Sequence, residues 1–279
     1  MNPIVSIIIP CYNSEATLEA TLNSVIEQEF HDWEALIIND GSTDNTEKIS
    51  LEWISRDNRF KYFSKENEGL GKTRNFGINK AKGIYILPLD SDNLVEKDFT
   101  EDAINVFENN PEIGVVYGHA EYFGQKTGVW KVDNYQLDRI LVHNYIDACA
   151  IYKKKIWQDV NGYDENMPYQ GHEDWEFWIA LGNINVQFQH LNKVTFKYFV
   201  SNTSMIRSFT KEMTLLNQDY VVKKYSILYH DYFCKLFVKS NNANLVFLKK
   251  LKSKKLVIDL FCKTFFGFTL FKNKLDTFK

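Results

Sequence analysis

Apolar residues recur along the first ninety positions in short β-branched runs separated by helix-spaced stretches. Residues 5–9, Val-Ser-Ile-Ile-Ile, read as a buried strand because nothing in the run alternates with polar side chains. The turn 10–13 stops it, and Ser14 is placed to cap a helix whose Leu18, Leu22, Val25 and Ile26 share one face. A second run, 33–38, ends in the turn cluster 39–44 and leads into a helix to about Ile54. Strands at 60–63 and 84–87 bracket a helix over 69–80. This βαβ rhythm predicts an α/β fold with a mostly parallel central sheet flanked by helices. Ligands then belong at the carboxyl ends of the strands, here 11–13, 39–41 and 88–93.

After Phe99 the pattern loosens. Strands are expected at 115–117, 148–152 and 194–200, a hairpin over 122–132, and an aromatic-rich helix over 173–181. Beyond residue 210 the chain reads as helical. Charge divides it at the same place: residues 211–279 hold 14 Lys against five acids, a balance of +9, while the net charge of −3 leaves −12 for residues 1–210. The domains expected are therefore 1–210 and a basic, aromatic-rich helical extension, 211–279. An acidic first part speaks against nucleic acid as a partner. Four cysteines without CxxC spacing fit a reduced, cytoplasmic compartment. No apolar run reaches membrane-spanning length.

Chemistry concentrates at the predicted strand ends. Asp90-Ser91-Asp92 places two carboxylates where the chain leaves a buried strand. They suit a hard divalent cation such as Mg2+ or Mn2+, or else they cap the helix near Glu96. Asp40, before Gly41, can accept from a nucleobase or ribose or simply make the turn; Asp44 reads as a turn residue. Gly69-Leu70-Gly71-Lys72-Thr73-Arg74 puts two cations at a helix start, where phosphate is favoured, without Walker-loop spacing; a solvated basic helix end is the other reading. His172-Glu173-Asp174 precedes the aromatic helix, either as an acidic cap or with a general base among them.

The order of five segments is more specific than any one of them. VSIIIPCYN (5–13), IINDGSTD (37–44), GLGKTRNFGINKAKG (69–83), YILPLDSDN (85–93) and VNGYDENMPYQGHEDWEFW (160–178) resemble glycosyltransferase family 2, inverting enzymes with the GT-A fold. The resemblance covers about residues 4–205. It implies that Pro10, Tyr12 and Asn13 pack a nucleotide base, often uracil, and that Asp40 hydrogen-bonds it. It implies Lys72 and Arg74 on the diphosphate, Asp90 on the ribose or sugar, Ser91 on the donor, and Asp92 on the metal. Asp174 falls at the catalytic base, with Glu173 and Trp175 on the acceptor side. Residues 198–207 resemble the acceptor-side loop only loosely, through Ser204 and Arg207. Asn39 stands where many relatives carry Asp, and the Gln/Arg-x-x-Arg-Trp signature of processive members is absent after Asp174.

The resemblance therefore implies a non-processive transferase that moves one sugar from a nucleotide-sugar, UDP-linked, to a glycan or lipid-linked acceptor in cell-surface polysaccharide synthesis. The competing functions are a sugar-phosphate nucleotidyltransferase, which lacks its early Gly-rich loop here, and a degenerate sugar-binding protein. Lys249, Lys250, Lys252, Lys254 and Lys255 beside Phe261, Phe265, Phe266 and Phe268 fit either peripheral contact with the inner face of a membrane or a solvated helix pair packed on protein.

Overall fold

The computed structural model describes residues 2–201 and 209–266; Ser204, Arg207 and Phe268 lie outside the described residues. The chain divides into two compact units, 1–224 and 225–279.

The first unit opens with β1 (Val5–Cys11), α1 (Leu18–Ile26), β2 (Trp33–Asp40), α2 (Thr46–Arg56), β3 (Phe60–Lys65), α3 (Leu70–Lys80) and β4 (Tyr85–Pro88). It continues through β5 (Leu94–Val95), α4 (Phe99–Asn109), β6 (Ile113–Gly124), β7 (Gly128–Trp130), α5 (Leu137–Ile140), β8 (Ile151–Lys153) and α6 (Lys154–Asp159). It closes with α7 (Glu173–Asn183), β9 (Gln187–Val200) and α8 (Lys211–Lys224). The helix α8, assigned by its charge to the extension, thus groups with the first unit.

All four early strands pair in parallel, in the order β3-β2-β1-β4. The sheet then turns mixed: β8 is antiparallel to β4 and β6, β9 is parallel to β6, and β5 is antiparallel to β9. Every residue of β1 and β2 is buried, which is why those runs carry no alternation. Strand order reverses direction at β1, so a crevice opens beyond the carboxyl ends of β1 and β4. Helix α3 lies close on this sheet because Gly77 faces it; a Cβ there would come 2.7 Å from Ile8 Cγ2.

Several expectations shift. Ser14 does not cap α1 with its hydroxyl: Thr17 holds the cap position, while Ser14 Oγ meets Ser91 Oγ at 2.7 Å, joining two strand ends instead. The late strand is longer than 194–200 because it follows β6 through three register shifts. Helix α4, where the pattern loosened, buries Phe99, Ala103, Ile104 and Phe107 at helical spacing. The second unit contains α9 (Ser226–Leu251) and α10 (Lys254–Phe266).

Candidate active site

Two pockets flank one loop. The first, about 90 Å3, is lined by Pro10, Tyr12, Asp40, Gly69, Thr73 and Gln170. Asn13, in the left-handed region at φ 52°, ties the turn after β1 to the turn after β2: its side-chain oxygen accepts from the Thr43 amide at 2.8 Å, while its backbone amide donates to Ser42 Oγ at 2.9 Å. Asp40 is buried. Its carboxylate accepts from Lys65 Nζ at 2.7 Å and from the Glu68 and Gly69 amides at 3.0 Å each, shaping the entry to α3. Gly69, at φ 94°, leaves space that the Gln170 side chain occupies. Tyr12 is exposed over this pocket. Lys72 is half-buried on the first turn of α3, 3.7 Å from Glu68.

Arg74 departs from the diphosphate-lining position the resemblance implies. It is 2% exposed, and its guanidinium donates to Asp90 at 2.6 Å and Glu173 at 2.8 Å. Burial opposes its charge, but the two carboxylates outweigh burial and hold it charged. Glu173 likewise faces inward rather than lining an open acceptor pocket: it is buried, and its second oxygen accepts from the Gly171 amide at 2.7 Å. The arginine therefore ties the end of β4 to the start of α7. Asp92, beside it, is pushed up to about 7, by burial first and then by the Asp90 charge.

The second pocket, about 310 Å3, is lined by Asp174, Asp147, Asn144, Trp130, Trp175 and Tyr198 among others. Asp174 accepts from Asn144 Nδ2 and from the Trp175 amide, both at 2.8 Å. Burial, then the charges of Glu173 and Asp147, push it up to about 8. Asp147 rises to about 7, through burial and then Asp90. The Trp175 indole donates to the Ile140 carbonyl at 2.5 Å, fixing the wall. Four carboxylates, Asp90, Asp92, Asp147 and Asp174, thus influence one another across the strand ends, partly offset by Arg74.

Sequence reading missed Asp147, Asn144, Gln170 and Asn217. Asn217 is fully buried and spans the loop between the pockets: it accepts from the Tyr169 amide, donates to the Tyr169 carbonyl and meets His172 Nδ1, each at 2.9 Å. The nearest sequence signal for Asp147 is a lone carboxylate inside the apolar stretch 145–152.

A family model, "Glycosyl transferase family 2", matches residues 6–161, more than half of the chain. The chain belongs to glycosyltransferase family 2. Among similar members of this family is an uncharacterized glycosyltransferase of Rickettsia typhi, 28% identical over 84% of this chain and 73% of that protein. The chondroitin synthase of Escherichia coli is 26% identical over 73% of this chain, which spans only 30% of that relative's length. Crystalline S. aureus TarS in complex with UDP is 26% identical, with a TM-score of 0.60, covering 72% of this chain and 61% of that one. TarS with UDP-GlcNAc gives a TM-score of 0.65. This glycosyltransferase therefore shares the GT-A architecture, and its own chain continues into a helical C-terminal extension.

Proposed function

We propose that this protein transfers one sugar from a UDP-linked donor to a hydroxyl of a glycan or lipid-linked acceptor, with inversion, in polysaccharide synthesis. The observation that carries this reading is Asp174, a carboxylate with a raised pKa, standing in a pocket beside strand ends that hold Asp40, Asp90 and Asp92. Pro10, Tyr12 and Asp40 enclose a slot suited to a planar base. Asp174 takes the proton of the attacking hydroxyl, and single displacement needs no covalent nucleophile. The UDP complexes of TarS support the donor class, and the chondroitin synthase the setting.

The donor set fits a divalent cation. Asp92 offers a carboxylate that burial first and then the Asp90 charge push up, so a cation there would balance it. Among the described residues no three side chains form a metal cluster. A Mg2+ or Mn2+ ion on Asp92 and Asp90 would therefore complete its shell with diphosphate and water oxygens, as Mg2+ prefers. Its contribution when bound is neutralisation of charge on the departing diphosphate. Asp92→Ala is expected to abolish the manganese dependence of donor binding in titration calorimetry; an unchanged dependence removes Asp92 from this role. The function itself is tested by a nucleotide-sugar panel with manganese, read by thermal shift and donor hydrolysis. Selective stabilisation by a nucleotide-sugar other than a UDP-sugar would overturn the donor class.

For the extension, we infer contact with an anionic membrane surface. Among the described residues no helix is long and apolar enough to cross a membrane. In α9, Phe233 and Phe237 stack one turn apart and stand 64% and 59% exposed; in α10, Val257, Ile258 and Phe265 are exposed beside lysines. Such helices lie in the interface, with apolar side chains inserted and lysines on lipid phosphates. The full chain is expected to float with phosphatidylglycerol vesicles, and Phe233→Glu/Phe237→Glu to remain at the bottom. Equal flotation of variant and parent would rule this out.

A further inference from the structure

We propose that helix α8 reads the acceptor and that Gln218 and Thr214 are specificity-determining residues for a carbohydrate ring. The inference rests on the reading of Asp174 as the base, and deepens it by naming what occupies the neighbouring pocket.

The helix is fixed to the base-bearing segment along one face. Asn217 holds Tyr169 and His172, as described above. One turn on, Tyr220 donates to Asp164 at 2.9 Å, and Lys224 pairs with Asp164 at 2.5 Å and Glu176 at 2.7 Å. Asp164 and Glu176 are almost wholly buried, with side chains 4% and 1% exposed, so these contacts are built into the unit rather than laid on its surface. Positions 217, 220 and 224 follow the helical spacing of a single stripe.

The adjacent stripe, Thr214 and Gln218, is thereby aimed at the pocket that holds Asp174. Neither residue is drawn into the anchoring contacts. The Gln218 amide has no hydrogen-bond partner among the described residues, and Thr214 Oγ1 only back-bonds to the Thr210 carbonyl at 3.2 Å. The same pocket is lined by Trp130, Trp175 and Tyr198. Aromatic faces suit the C–H faces of a pyranose, while amide and hydroxyl groups suit its ring hydroxyls. A lipid tail would leave the polar groups unpaired, at a desolvation cost. The acceptor portion held here is therefore a sugar, even where a lipid carries it.

The test is ligand-observed saturation-transfer NMR on the full chain, with UDP and manganese present. The probes are methyl glycosides of glucose, galactose and N-acetylglucosamine. At least one is expected to bind, and Thr214→Val/Gln218→Ala to weaken it roughly tenfold or more, the loss of two modest hydrogen bonds. Both side chains are part-exposed, so the thermal midpoint and UDP affinity should hold. No binding by any glycoside, or wild-type affinity in the double variant, overturns the proposal. The base reading fails separately: normal transfer by Asp174→Asn would sink the base, while the glycoside titration of Thr214→Val/Gln218→Ala still decides the role of the helix.

Discussion

Asp174→Asn should lower sugar transfer by about 10²- to 10⁴-fold, the usual contribution of a positioned general base, while donor affinity stays near that of the parent. The substitution is nearly isosteric. The Asp174 oxygens accept from Asn144 and the Trp175 amide, and an amide oxygen preserves one of these bonds. The base-binding slot is formed by Pro10, Tyr12 and Asp40, none of which touches residue 174. Single-turnover product formation with UDP-sugar calorimetry separates the two quantities. Transfer at the parent rate would remove Asp174 from the chemistry.

A pH dependence follows from the same group. Asp174 must be ionised to accept a proton, and burial with Glu173 and Asp147 pushes it up to about 8. Transfer should therefore keep rising through pH 7–8.5 rather than levelling off near the ordinary aspartate range of about 4. Stability runs the other way. Asp92, Asp147 and Asp174 are all raised in the folded state, so between about pH 4 and pH 8 these three groups bind more protons in the native chain than in the unfolded one, and the stability they contribute is lost as pH rises, against an opposite and smaller contribution from His172 and His190, which burial lowers. Manganese should flatten that fall by balancing Asp92. A melting temperature that climbs from pH 5 to pH 8 without metal would contradict the crowding of these carboxylates.

How much of this was readable in the sequence depended on whether a residue's task is local. The parallel strands β1 and β2 were legible because burial on both faces writes runs rich in Val and Ile with little alternation. Asp40, Asp90, Asp92 and Asp174 stood out because turns after strands and before helices collect polar residues in short clusters. Asp147 carries no such context. Its importance comes from Asp90, Asp92 and Asp174 arriving from other parts of the chain. Composition grouped α8 with the basic tail, yet Lys224 meets two buried carboxylates and Asn217 binds a loop 48 positions away. For Arg74, its sign suggested phosphate, but only the fold reveals that two carboxylates already use the guanidinium.

That commitment makes Arg74 a position where a single change of charge should cost much stability. Arg74→Met keeps the length of the side chain and removes the charge between Asp90 and Glu173. Breaking a buried pair from one side typically costs 3–5 kcal/mol, because the remaining charge stays desolvated. Glu173 meets that condition at 5% side-chain exposure, whereas Asp90 at 31% can recover water. The expected loss is therefore near the low end, about 3 kcal/mol, seen as a lower urea midpoint at unchanged slope. Arg74→Lys should lose less but not nothing, since one ammonium cannot reproduce a fork that grips two carboxylates at once. Adding Glu173→Gln to Arg74→Met should return part of the loss by removing the stranded charge, a coupling a double-mutant cycle measures directly. Additive effects of the two substitutions would mean that the arginine and the glutamate do not share a burden, and the link between the end of β4 and the start of α7 would then have to lie elsewhere.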